Sequence, residues 1–393
     1  MSSTPPIPPE LTSGIETRDF GTYAIAASPV GGSMLYLKPD EFALLPLMDG
    51  QHSPQDLEAR LGRPVEDLIV DLREEGYLVD SPDRKKHREL ILTLNGFEFD
   101  GFDRVISWVN RKFGDRIFSA RGLVTAVVVG LVGLVAFLVQ LCLGQGLTVP
   151  VTQPILAFFV LRIMSFSQAG LHESSHALVI DRNGRHVGRF GIGFYWGALS
   201  FYVDASQAMF FDRRTRMKES GAGLFTDFVF AGAVSLVAVL GGGATWAIAL
   251  RELAVITYLG IILNAIPLLE LDGYWILADA LNRPSLHHDS LVALQAALRG
   301  KFDDVRLALY AAASTIFGAA ALVAGVLAFW NLFGKLFHAL WAGGAGYKVL
   351  AVFLVLPYTM IVVELLLEPL VLLVRKLETK RHLRKSRKNA AAT

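Results

Sequence analysis

The sequence predicts a predominantly α-helical polytopic membrane protein with about six transmembrane helices and one re-entrant or interfacial β-hairpin. A small α+β, winged-helix-like domain precedes it. Three observations lead there. Of 393 residues, 53% are hydrophobic and only 19% charged. Residues 122–161 carry no charge at all, a run longer than the ~20 residues one helix needs to cross a bilayer. Charge is also segregated. Residues 1–80 hold five Lys+Arg against fourteen Asp+Glu, a net of −9, whereas 375–388 hold eight basic residues against one acid, a net of +7.

Residues 1–19 are Pro- and Ser-rich, without a basic start or an apolar run, and read as a disordered lead-in with no cleaved signal peptide. Residues 20–80 read as the small domain. Tyr23–Ala27 and Ser33–Leu37 are short apolar strands around Pro29 and Gly31-Gly32. Helices follow near Pro39–Met48, Pro54–Leu61 and Pro64–Glu75, each with proline in its opening turn. Residues 81–120 form a charged linker whose amphipathic piece, Phe102–Phe113, suits the membrane surface.

Within the membrane domain, 121–375, the spans fall at 122–143, about 155–180, 220–240, 253–271, 309–333 and 349–374. Arg162 lies inside the second. The eighteen residues from Arg162 to Ile180 rise roughly 27 Å, one hydrocarbon thickness, so Arg162 fits the outer interface. Arg251-Glu252 fits the same level. The apolar segment 190–203 is too short to cross as a helix, and its Gly, Phe, Tyr and Trp content suggests a β-hairpin.

Lys and Arg near the span ends set the orientation. Segments 104–121, 182–189, 213–218, 301–306 and 375–388 each carry two or more. Segments 144–154, 241–249 and 334–346 carry only Lys335. Six spans with both termini cytoplasmic satisfy this pattern, in a cell (inner or plasma) membrane. The basic tail, 376–393, lies on the cytoplasmic side, where it either orients the chain or meets anionic lipid.

The chemistry centres on His172-Glu173-Ser174-Ser175-His176. Positions four apart share one helical face, so both histidines can reach one Zn2+, and Glu173 beside it can take a proton from water. Two histidines and a water leave zinc one ligand short of four. Asp272 is the best candidate. It ends the span 253–271, and the loop charges put it on the same side as His176 at similar depth. Cys142 is the only cysteine, which excludes a disulfide framework or a cysteine-based metal site within the chain.

His172-Glu173-x-x-His176 with Asn264-x-x-Pro267-x-x-x-Leu271-Asp272-Gly273 resembles the site-2 protease family of intramembrane zinc metalloproteases, over about residues 122–280. The resemblance implies one zinc per chain held by His172, His176 and Asp272, with Glu173 as the catalytic acid/base in peptide hydrolysis. It makes Asn264, Pro267, Gly273 and Asp227 candidates for substrate binding or for supporting the ligands. The family carries Gly-Pro-x-x-Asn between the two motifs. Here Gly223-Leu224-Phe225-Thr226-Asp227 stands in its place, so leucine replaces proline and aspartate replaces asparagine. The hairpin 190–203 suits an edge strand that holds an unwound substrate extended.

The strand–helix pattern of Tyr23–Asp80 is similar to the PqqD-like domain of peptide-modification systems, through Leu35-Tyr36-Leu37-Lys38-Pro39-Asp40-Glu41-Phe42 and Glu75-Gly76-Tyr77-Leu78. That implies leader-peptide binding at residues 20–80, along Ser33–Leu37 and Pro64–Glu75. The whole order resembles bacterial peptide zinc metalloproteases, which implies maturation or export of a ribosomally made peptide. A winged-helix DNA binder shares the outline, but a net of −9 opposes nucleic acid. Two alternatives stand beside this one: a regulatory protease cleaving a membrane-anchored signalling protein, and a non-proteolytic scaffold or export component. Adjacent His287-His288 point apart on a helix and read as a solvated loop. Asp204 reads as a turn cap at the end of the hairpin.

Overall fold

The computed structural model describes residues 8–21, 23–27, 34–81, 92–93, 96–99, 101–144, 153–195, 198–356 and 359. The chain divides into two compact units, Met1–Glu89 and Leu90–Thr393. It is mostly helical, with five apolar helices of membrane length among the described residues.

The first unit is an antiparallel meander, β1 (Glu16–Asp19), β2 (Ala24–Ala27) and β3 (Leu35–Leu37), followed by α1 (Pro39–Phe42), a 3-10 turn (Leu45–Leu47), α2 (Pro54–Leu61) and α3 (Glu66–Glu74). Proline opens α1 and α2, as the sequence suggests, because its missing N–H costs nothing in the first turn, whereas α3 starts at Glu66 and leaves Pro64 outside the helix. In α2 the Ser53 hydroxyl accepts the Asp56 N–H while Asp56 accepts the Ser53 N–H, and Gly62 closes the helix at φ +72°. The core gathers Leu37, Met48, Leu57, Leu72, Tyr77 and Leu78, and the Tyr77 hydroxyl donates to the Ala26 carbonyl at 2.7 Å.

Part of the expected lead-in is structured. β1 pairs with β2, and the Leu11 and Thr12 amides donate to the carbonyls of Met48 and Tyr77. β1 is mostly exposed, with the sequence Glu-Thr-Arg-Asp, so no apolar alternation marks it. Its stability comes from ladder bonds to β2. The helix expected over Pro39–Met48 is divided into α1 and the 3-10 turn, with Pro46 inside the latter.

The second unit begins with β4 (Leu92–Thr93) and β5 (Gly96–Phe99), neither foreseen in the charged linker. Then come α4 (Phe102–Val109), a π turn (Asn110–Gly114), α5 (Asp115–Ile117), α6 (Ala120–Cys142) and α7 (Pro154–Arg182). The hairpin follows as β6 (Phe190–Tyr195) and β7 (Ala198–Val203). It joins the earlier pair in one antiparallel sheet of order β4-β5-β6-β7, leaving β7 at an edge. α4 is amphipathic as expected. Its Ile106 packs with Ala177 and Ile180 of α7, and Ser107 and Asn110 both donate to Asp181, while Val105 and Trp108 stay exposed.

After a 3-10 turn (Ser206–Phe210) come α8 (Arg213–Leu240), α9 (Thr245–Ala265), α10 (Asp272–Ala280), α11 (Leu286–Leu298) and α12 (Val305–Trp341). The membrane-length helices are α6, α7, α8, α9 and α12. A shorter apolar helix, Ala345–Leu356, covers the start of the sixth expected span, and residues 360–374 lie outside the described residues. The fourth span differs most. It is expected at 253–271, but α9 starts at Thr245 and stops at Ala265. Ile266 is extended (φ −73°, ψ 120°) because Pro267 follows and disfavours helical backbone before it.

α6 and α8 cross closely. A Cβ on Gly133 would lie 2.2 Å from the Gly232 Cα, so only glycine lets these backbones meet. Arg251 is buried within the bundle. It donates to Gln140 of α6 at 2.6 Å and to the Ala238 carbonyl of α8 at 3.3 Å. Arg162, half-buried, donates to the carbonyls of Phe353 and Leu354. Both arginines use their guanidinium forks to donate to helix carbonyls, and Arg251 also to the Gln140 side-chain oxygen.

Candidate metal centre

His172 and His176 sit one turn apart on α7, and their Nε2 atoms are 3.3 Å from each other. Asp272, the first residue of α10, approaches from the opposite side. Its Oδ2 is 3.4 Å from His172 Nε2 and its Oδ1 3.7 Å from His176 Nε2. Ligand atoms of the three all lie within 4.8 Å of one another, and they form the one such group of His, Cys, Asp and Glu among the described residues.

Asp272 is thus the partner expected, but not the end of a span. It follows the turn Ile266–Leu271. Asn264, at the end of α9, holds it from both sides. The Asn264 amide donates to Asp272 Oδ2 at 2.9 Å and accepts the Asp272 N–H at 2.8 Å. The Asn264 side chain is therefore engaged with the candidate ligand. Gly273 permits this close approach, since a Cβ there would lie 2.4 Å from the Ala265 carbonyl oxygen. The Pro267 carbonyl accepts from the Tyr310 hydroxyl at 2.5 Å, tying the turn to α12.

The outer nitrogens of the two rings are held by α8. His172 Nδ1 meets Asp227 Oδ2 at 2.9 Å, and Asp227 Oδ1 accepts from Gln168 at 2.5 Å. His176 Nδ1 meets the Glu219 carbonyl oxygen at 2.9 Å and its Oε1 at 3.2 Å. A carbonyl oxygen can only accept, so His176 Nδ1 carries the proton, and the Asp227 carboxylate makes the same demand of His172. With both Nδ1 atoms donating to α8, the two Nε2 atoms face one another and the Asp272 carboxylate. Positive charge held among them, as added protons or as a metal ion, balances that cluster.

The donor set fits zinc. Two nitrogens and a carboxylate oxygen are its usual ligands, and two nitrogens ~2.0 Å from one tetrahedral ion stand about 3.3 Å apart. The rings match that separation. Gly223 keeps the space clear, because a Cβ there would lie 2.5 Å from His172 Nε2 and 2.6 Å from His176 Nε2.

Glu173 lies on the adjacent α7 face. Its Oε2 accepts the backbone N–H of Val203, the last residue of β7, at 3.1 Å. The carboxylate is therefore fastened to the end of the sheet edge beside the His172, His176 and Asp272 group.

Glu219 was not foreseen. It directly follows the basic run Arg213–Lys218, which reads as a charged flank of a span. The signal was its spacing, because Glu219, Gly223 and Asp227 recur every four residues and share one face of α8. Asp204 caps the 3-10 turn by accepting the Ser206 N–H at 3.0 Å, as its position suggested. His287 and His288 lie in the first turn of α11 rather than in a loop, His287 is 3.7 Å from Glu270 and is not part of the triad, and Cys142 is exposed. No family model, curated protein or solved structure significantly matches this chain.

Proposed function

We propose that the protein is an intramembrane zinc endopeptidase that cleaves a membrane-associated or ribosomally made precursor peptide. His172, His176 and Asp272 hold the metal. The observation that carries this reading is the convergence of those three residues beside Glu173, the histidines on α7, a helix long and apolar enough to cross a membrane, and Asp272 at the start of the short α10. A zinc ion there would polarise a peptide carbonyl and make water a stronger acid near neutral pH. Asp227 and Glu219 hold the two imidazoles in the tautomer that binds metal. Glu173 takes a proton from water and returns it to the leaving amine.

A helical substrate hides its carbonyls in hydrogen bonds, so it must unwind before attack. β7 supports a place for it, since the strand is a sheet edge that ends at the Glu173 carboxylate. In the first unit β3 is likewise a terminal strand, which favours addition of a leader-peptide strand there.

Glu173→Gln tests the reading. The variant keeps its zinc and loses cleavage of casein, an unstructured probe, by at least ~100-fold, the scale of general acid–base catalysis. Cleavage at the parent rate by the zinc-loaded variant overturns it.

A further inference from the structure

Arg216 and Asp279 form a pair that the proposed chemistry does not use. Both are buried, at 3% and 8% exposed, and Arg216 Nε donates to Asp279 Oδ1 at 2.6 Å. Arg216 also donates to the Phe211 carbonyl at 3.0 Å, and Arg213 donates to the Ala280 carbonyl. The start of α8 therefore grips the last turn of α10.

Asp279 lies seven residues after Asp272, so the two carboxylates fall within about 20° of one face and roughly 10 Å apart along the axis. α10 has nine residues, and this pair occupies both its ends. At one end Asp272 meets the histidines, and at the other Asp279 meets Arg216. On α8 the stripe Arg216, Glu219, Gly223 and Asp227 also keeps one face. Glu219 and Asp227 hold the histidines, Gly223 clears the space between them, and Arg216 reaches the helix that supplies the third ligand.

The turn Ile266–Leu271 separates α10 from α9, where Pro267 breaks the helix, so α10 needs a second anchor to keep its pitch. A buried ion pair is a poor source of stability, because its desolvation cost cancels most of its attraction. What such a pair supplies well is register, since a guanidinium in a dry site accepts few arrangements. From this we infer that Arg216–Asp279 is a positioning brace for Asp272. It fixes α10 against α8 in the register that brings the Asp272 carboxylate onto the two Nε2 atoms. The inference rests on the metal reading above.

The test is zinc affinity of the full-length protein in detergent, by chelator competition, beside the thermal midpoint of the zinc-free form. Arg216→Met combined with Asp279→Leu removes both charges and leaves neither unpaired. Zinc binding should weaken 10- to 100-fold, the usual cost of losing a group that orients a ligand, with the zinc-free midpoint close to the parent's. Arg216→Lys, which keeps the charge but loses the fork, guards against misfolding of the double variant and should show an intermediate loss. A purely structural pair would shift the midpoint and leave the affinity of the folded protein unchanged. Affinities within about twofold of the parent in both variants overturn the brace, against the 10-fold minimum expected. A parent that binds no zinc overturns the metal reading and the brace together, whereas a zinc-binding parent with unaffected variants overturns the brace alone.

Discussion

Asp227 accepts from His172 Nδ1 with one carboxylate oxygen and from Gln168 with the other, at 2.9 and 2.5 Å. This acceptor-only geometry explains the aspartate. An asparagine here offers one acceptor and one donor, so it cannot satisfy both N–H groups. Asp227→Asn should weaken zinc binding about 10- to 100-fold. Adding Gln168→Glu turns the second partner into an acceptor, and the Gln168→Glu/Asp227→Asn pair should recover most of the loss. Chelator competition on the four proteins checks this, and a double variant as weak as Asp227→Asn contradicts it.

Gly223 gives a sharper steric prediction. Alanine is a better helix former, by about 1 kcal/mol in an exposed helix. Here its methyl would sit 2.4 Å from His172 Cε1 and 2.6 Å from His176 Nε2. Gly223→Ala should therefore stay folded and helical by circular dichroism, yet purify without stoichiometric zinc. A zinc-replete Gly223→Ala protein would mean the rings are not where the metal needs them.

How far the site could be read in advance follows from its periodicity. His172 and His176 share a face by spacing alone, and loop charges brought Asp272 to them across a long separation in sequence. Both inferences rest on patterns that repeat along one helix or one side of a bilayer. Glu219 escaped because an acid in a basic flank carries no hydropathy signal, and its role depends on which face of α8 meets α7. Asn264 was readable as important, but its double bond to Asp272 depends on the turn that Pro267 imposes. β1, β4 and β5 escaped because they are short and held by partner strands rather than by an apolar face. The hairpin 190–203 was legible because fourteen apolar residues cannot cross as a helix.

The crossing of α6 and α8 places the stripe that holds both histidines. A Cβ on Gly232 would lie 2.7 Å from the Gly130 Cα. Gly232→Val should force the helices apart and destabilise the membrane unit by 1–3 kcal/mol or more, the range for overpacking. Thermal unfolding in detergent checks it, and an unchanged midpoint contradicts the close crossing.

Acid should loosen the start of α8. The Asp212 carboxylate caps this helix, accepting the Thr215 hydroxyl at 2.8 Å and the Thr215 N–H at 3.2 Å, and these bonds hold its carboxyl below the usual carboxylate range. A carboxyl lowered on folding contributes stability above its unfolded value, near 3.9, that is lost as pH falls through the lower folded value. Hydrogen exchange at the Thr215 amide should therefore accelerate, relative to Asp212→Asn, as pH drops below about 4. A pH-independent ratio contradicts the cap.

The central claim is that His172, His176 and Asp272 bind one zinc ion. Its most direct measurement is zinc content and X-ray absorption of the purified full-length protein, beside His176→Ala and Asp272→Ala. The account predicts about one zinc per chain in the parent, in a shell of nitrogen and oxygen with two imidazoles and no sulfur, and loss of stoichiometric zinc in both variants. A parent without zinc, or variants that keep the parent's zinc and its spectrum, would contradict it.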